Sequence, residues 1–282
     1  MKTLSKFVAM VCGVGLSCGQ PVWAESPVVG HLNEFSKNFF LKVGQEQTDN
    51  LAVSPLGSYI LMALLHPGAS GTTAEELAKV GNFSDTTLKD VGQLVEQLDA
   101  LPSVSMAHSI YLDKRIKLVD AYQKKVARFF SKPVVVLDFK SDPAAATKVI
   151  NDWVSKATQG LIQDFLPTLE PLTLSVLVSA LHFKAQWLHP FPAKATASAR
   201  FLPSDGKPVP VAMMRLAGRP LQVFTLPQGT GLILPYTDKV EMVLLLPQEG
   251  LSPDKFLEQL EMRDLPAAAP QEPREKQLVV QI

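Results

Sequence analysis

Residues 172–183 read LTLSVLVSALHF, and from Leu174 to Phe183 apolar side chains fall on both alternating faces. A strand of that kind is expected at the centre of a sheet covered on each side, because an edge strand facing water shows its apolar residues on one face only. Something must therefore lie over each face. The nearest cover is the helix read from Pro143 to Gly160, with proline in the first turn and glycine as the left-handed stop. Before it, Val104 to Leu112 alternates as a strand, Val119 to Phe130 reads as a helix, and Pro133 to Phe139 (PVVVLDF) is β-branched and extended.

Working outward toward the N-terminus, Val28, Leu32, Phe35, Phe39 and Phe40 recur at helical spacing between Pro27 and Leu41. Ser54-Pro55 starts a second helix, Ser54 capping the free amides and Pro55 taking the first turn; it runs through Leu65 until Pro67-Gly68 stops it. Thr72 or Thr73, followed by Glu75 and Glu76, begins a third with acids in its first turn. A fourth spans about Leu88 to Leu101. Toward the C-terminus the pattern turns antiparallel. Asp205-Gly206 and the Gly229-Thr-Gly231 cluster read as turns, and Leu232–Pro235 pairs with Val240–Leu246 around Tyr236 to Lys239. Ser252-Pro253 starts a short helix to about Met262, Leu265 to Glu275 is a connector, and Lys276 to Ile282 opens a strand.

The first 24 residues have the form of an export signal: Lys2 and Lys6, an apolar run from Phe7 to Gly19, and small residues for cleavage after Ala24. At 13 residues that run is shorter than the roughly 20 needed to cross a bilayer, so no membrane span is expected. Lipid attachment at Cys18 competes with this reading, but Gly15 stands where a lipoprotein signal usually has leucine. Domain 25–282 follows. Cys12 and Cys18 both lie in the leader, so the mature chain has no disulfide or thiolate metal site and must rely on packing. The chain carries 27 basic and 27 acidic residues. Removing Lys2 and Lys6 leaves 25 against 27, far from the basic field a nucleic acid requires.

Local catalytic signatures are missing: GxSxG, HExxH, GxGxxG and GxxxxGK[ST] do not occur. Ser204 with Lys207 and Ser252 with Lys255 match SxxK, the first on a turn and the second at a helix start. The five histidines are dispersed; His182 and His189, seven apart around Trp187, fit packed or surface imidazoles better than ligands. No cofactor or metal is implied, and Asn82-Phe83-Ser84 has meaning as a glycosylation triplet only in a cell with that machinery.

Five blocks, in this order, resemble the serpins: NLAVSPLGSYILMALLHPGASGTTAEEL at 50–77, INDWVSKATQGLIQDFLP at 150–167, LVSALHFKAQWLHPF at 177–191, FLPSDGKPVPVAMM at 201–214 and LILPYTDKVEMVLLLP at 232–247. The resemblance implies an α+β fold of N-terminal helices and three β-sheets. It also implies a secreted inhibitor of a serine or cysteine protease that acts as bait; a secreted or periplasmic location and a monomer are expected. An exposed reactive loop is cut, the protease is held as an acyl-enzyme, and the loop inserts into the main sheet as a new strand. By motif, the sheet-opening positions fall on Ser54, Pro55, Ser179 and Trp187. Two departures stand out: Gly57 replaces a usual second serine, and Ser179 a usual asparagine. The reactive loop and two buried C-terminal strands are expected after Ile282, so no residue of this chain is assigned to the loop and this chain is expected to be inactive. A non-inhibitory, chaperone-like relative and an exported hydrolase are the rival readings.

Overall fold

The computed structural model describes residues 8–10, 27–45, 51–84, 86–130, 134–203, 206–219, 221–238, 240–262, 265 and 280–281. In chain order the elements are β1 (Val8–Met10), α1 (Pro27–Gly44), α2 (Pro55–Leu65), α3 (Gly71–Gly81), α4 (Thr87–Asp99), β2 (Val104–Asp113), α5 (Asp120–Ala127), β3 (Val134–Leu137) and α6 (Pro143–Ala157). They continue with β4 (Ser175–Phe183), β5 (Ala197–Phe201), β6 (Val209–Met213), β7 (Arg215–Leu216), β8 (Gln222–Leu226), β9 (Gly229–Pro235), β10 (Glu241–Pro247), α7 (Pro253–Gln259) and β11 (Val280–Gln281). The chain divides into two units, Ser26–Lys184, and Ala185–Ile282 with the first 25 residues. No helix among the described residues is long and apolar enough to cross a membrane.

The unit Ser26–Lys184 is built on the sheet β3-β2-β4. β2 and β4 run antiparallel from Val104↔Phe183 to Leu112↔Ser175, and β3 lies parallel on the other side of β2. Ile110, Val134 and Leu177 face Tyr59, Ile60 and Leu64 of α2 with Phe35 and Val91 of α1 and α4. Tyr111, Val135, Val176 and Val178 face Ala146, Ile150 and Val154 of α6. Both faces of β4 are thus covered, α6 lying where the sequence puts it. Among the described residues the sheet order is β3-β2-β4, with β4 paired to β2. Face burial and lateral pairing are independent, so a two-faced apolar pattern reads the same with or without a strand alongside.

Polar side chains fix the ends of these elements. The buried Asp113 carboxylate accepts from the Arg115 side chain, from Arg115 N at 2.9 Å and from Phe139 N at 2.7 Å. These bonds to Arg115, above all the one from its guanidinium, hold the Asp113 carboxyl far below the usual carboxylate range against the opposing effect of burial. The same guanidinium donates to Pro171 O and Thr173 O, each at 3.0 Å, tying the end of β2 to the approach to β4. On α6, Asp142 caps the helix by accepting from Ala145 N at 3.0 Å. Thr147 Oγ1 accepts from Leu169 N at 2.9 Å, and Asn151 both accepts from Leu166 N at 2.8 Å and donates to Leu166 O at 2.9 Å. The helix ends at Ala157, before the expected Gly160, and the left-handed turn is shared by Gln159 (φ 54°) and Gly160 (φ 82°). α3 starts at Gly71, so Glu75 and Glu76 lie past its first turn.

The second unit contains the sheet β1-β10-β9-β8, the hairpin β5-β6 and the short ladder β7-β11. With β3-β2-β4 this makes four hydrogen-bonded groups among the described residues. The two smallest are two-stranded ladders that meet no third strand among the described residues. Within the segment read as a leader, Val8–Met10 pairs with Val243–Leu245; the rest of that segment lies outside the described residues, as do Ser204, Asp205 and most of Leu265 to Glu275. The second SxxK serine is a helix cap, Ser252 Oγ accepting from Lys255 N at 3.4 Å.

The glycines at 229 and 231 serve packing and are not the turn. β8 pairs with β9 from Gln222↔Ile233 to Leu226↔Gly229, which puts the reversal at Pro227-Gln228. A Cβ on Gly231 would lie 1.9 Å from the Phe224 ring, and one on Gly229 would lie 2.5 Å from Leu246 O and 2.8 Å from the Phe256 ring. A ring can swing away, but the Leu246 carbonyl belongs to the β9–β10 ladder. Gly229→Ala is therefore expected to destabilise the chain by about 2 kcal/mol, measured by urea unfolding. Gly206→Ala, strained by its φ of 75° but with open space around it, is expected to cost about 1 kcal/mol. Equal losses would show that close approach does not decide position 229.

Candidate functional site

Three of the four sheet-opening positions lie in the unit Ser26–Lys184. Pro55 occupies the first turn of α2, where its missing N–H leaves no unpaired donor. Ser54 is the residue before the helix, as expected, but its side chain makes no capping hydrogen bond. Ser54 Oγ lies 3.9 Å from where a Cβ on Gly57 would stand. The same Cβ position is 2.4 Å from Ser179 Oγ and 3.1 Å from Ser179 Cβ. Gly57, buried in the first turn of α2, thus opens the space that Ser179 fills.

Opposite Ser179 in the β2–β4 register stands His108. Its Nδ1 is 3.0 Å from Ser179 Oγ, while its Nε2 is buried with no partner among the described residues. Burial lowers the imidazole pKa to about 4, because a charged ring there would lose its hydration without a compensating anion. The cross-strand bond therefore joins a neutral imidazole to a hydroxyl beneath the start of α2. A serine nucleophile needs a base whose other nitrogen is oriented by a third group. Nε2 has no carboxylate partner among the described residues, and Ser179 Oγ is packed against Gly57. The arrangement can lock α2, β2 and β4 together and release them if one member changes.

Trp187 belongs to the other unit. Its ring stacks on Tyr236 with centroids 4.3 Å apart and meets Phe191 edge-on at 5.7 Å. Leu188 N donates to Pro235 O and Thr237 N to Gln186 O, each at 2.9 Å. Trp187 so joins the cluster of Leu216, Leu221, Leu234 and Leu244. Because β4 ends at Phe183, His182 and His189 fall in different units and form no pair on one strand. No group of three or more metal-binding side chains occurs among the described residues.

Sequence reasoning names Ser54, Pro55, Ser179 and Trp187 but misses His108, and treats Gly57 as a simple loss. The signal for His108 is present only in register: it shares the face of Ile110 on β2, and only the pairing of β2 with β4 sets it against Ser179. The two departures from the serpin pattern are thereby linked, since a side chain at 57 and the present Ser179 rotamer exclude one another.

Two measurements test this joint. In a double-mutant cycle of Gly57→Ala with Ser179→Ala, the first change alone is expected to break the His108 contact, and the coupling energy should be about 1 kcal/mol; additive effects would separate the two positions. For pH, the folded His108 stays neutral between its usual value near 6.5 and about 4 while the unfolded chain takes up a proton. Its contribution is full above pH 6.5 and is lost as pH falls through that window. Between pH 7 and pH 5 the urea-derived stability should fall about 2 kcal/mol more steeply in the parent than in His108→Asn; equal slopes would assign the acid sensitivity to other groups.

Comparison with known proteins follows the same geometry. The family model "Serpin (serine protease inhibitor)" matches residues 30–282. Serpin-Z2A of Oryza sativa subsp. japonica is 36% identical over 182 residues, covering 61% of this chain and 43% of that protein. Iripin-2 of Ixodes ricinus is 30% identical over 264 residues, covering 89% and 64%. The structure of cleaved Serpin 42Da superposes with a TM-score of 0.73 at 28% identity, covering 81% of this chain and 64% of that one. The chain thus spans 43% to 64% of the length of these curated relatives. With helices and several β-sheets in the expected order, and with the family model spanning all but the first 29 residues, this chain belongs to the serpin family.

Proposed function

We propose that the protein is an exported, monomeric inhibitor of serine or cysteine endopeptidases, and that these residues supply the sheet into which a cleaved reactive loop inserts. One observation carries the reading. β4 is covered on both faces, yet pairs on one side only among the described residues. Its middle residue, Ser179, is held by a single neutral hydrogen bond to His108 and by contact at Gly57. A strand added beside β4 would gain ladder hydrogen bonds in a site already shielded by helices. That the similar Serpin 42Da structure is of a cleaved form agrees with cleavage as a step in this chemistry.

The energy for trapping a protease comes, on this reading, from a native sheet that is not at its lowest free energy, as in the strain release that serpin loop insertion exemplifies. The hold at Ser179 sets how readily α2 and β4 part. Ser54 and Pro55 fix the start of α2, and Trp187 acts from its own cluster in the other unit.

The test mixes the product of the complete gene, and separately the 282-residue chain, with a panel of serine and cysteine endopeptidases. The complete product is expected to form an SDS-resistant covalent complex with at least one, and the 282-residue chain with none. Cleavage of the complete product by every protease without any complex would place it with non-inhibitory relatives. Labelling of the chain by a fluorophosphonate, lost in a single Ser→Ala variant, would instead make it a hydrolase.

A further inference from the structure

Away from the Gly57–Ser179 contact, the unit Ser26–Lys184 holds a cavity of about 520 Å³ between the end of α2, α3, the far half of β2 and the start of α5. Leu65, Leu77, Ile110, Leu112 and Ile116 form its apolar walls. Tyr122 contributes its ring, because its hydroxyl is committed to Leu64 O at 2.9 Å. Gly68 allows that ring to close the floor, since a Cβ there would lie 3.0 Å from it. The volume lies within the range of small-molecule sites, which combine apolar walls with a few orienting polar groups.

The orienting group here is Lys117. It is the one charged residue in the cavity wall, it is exposed, and no ion pair engages it among the described residues. Thr73 also lines it. A ligand complementary to this lining has a hydrocarbon body and a single anionic head. We propose that the cavity binds an amphipathic aliphatic monocarboxylate, its chain against Ile110 and Leu112 and its carboxylate paired with Lys117. The site is independent of protease inhibition and stands whether or not that reading does.

Calorimetric titration of the 282-residue chain with sodium octanoate, sodium decanoate and decan-1-ol tests the proposal. Decanoate should bind about tenfold more tightly than octanoate, because two further methylenes are buried. Lys117→Met should weaken decanoate about threefold to fivefold and leave decan-1-ol unchanged, the size expected of one partly exposed ion pair. Ala69→Phe, which fills the cavity from the turn after α2, should weaken all three at least tenfold. Thr73→Phe blocks the same space from α3, so a misfolded Ala69 variant, detected by its unliganded melting curve, does not decide the result. The proposal is overturned if both filling variants bind decanoate like the parent, if chain length has no effect, or if Lys117→Met weakens the acid and the alcohol alike.

Discussion

The β2–β4 ladder, from Val104↔Phe183 to Leu112↔Ser175, is the constraint on which the first unit rests. A strand pair with apolar residues on both faces has no side to offer to water, so α2 must cover one face and α6 the other. Register then fixes everything at finer scale. A shift of one residue would exchange Leu177 with Val178 and turn every contact to the wrong helix. Asp113 pins that register at one end, joining β2 to β3 through Phe139 and to the approach of β4 through Arg115. At the middle, Ser179 and His108 meet because the ladder makes them direct partners.

Much of this was legible in the amino acids, and the parts that were not share a cause. Periodicity revealed β4, α6, α1 and the β9–β10 pair because each is a statement about neighbours along the chain. Which strands pair with β4 was hidden, since Leu177 and Val178 pack against helices regardless of what lies beside the strand. His108 was hidden for the same reason: its partner is 71 residues away and no local pattern points to it. Gly229 and Gly231 looked like a turn because glycine often marks one, whereas ring and carbonyl contacts across the sheet required them. Ser54 stood in a capping position without forming the cap, since sequence gives the place of a hydroxyl but not its direction.

The contact of Gly57 with Ser179 changes how the serpin resemblance is to be read. Taken one at a time, a glycine for a serine and a serine for an asparagine look like two losses of hydrogen bonding. In space they are one exchange: the missing Cβ makes room for Ser179 Oγ, which turns to an imidazole on the neighbouring strand. The net effect is a hold made of one neutral bond whose histidine has a buried nitrogen with no partner among the described residues. Such a hold resists proton uptake in the folded state and so connects sheet cohesion to acidity.

Asn151 and Thr147, one turn apart on α6, give the passing backbone at Leu166 and Leu169 the partners that another strand would otherwise provide. A helix that carries its own docking groups needs only itself to position what comes next. As the polypeptide emerges from the ribosome, residues 166–169 can settle on α6 before β4 has been synthesised, and β4 is then delivered to β2 from a fixed starting point. The closure of β4 onto β2 is thereby preceded by a shorter one, made in the order of translation.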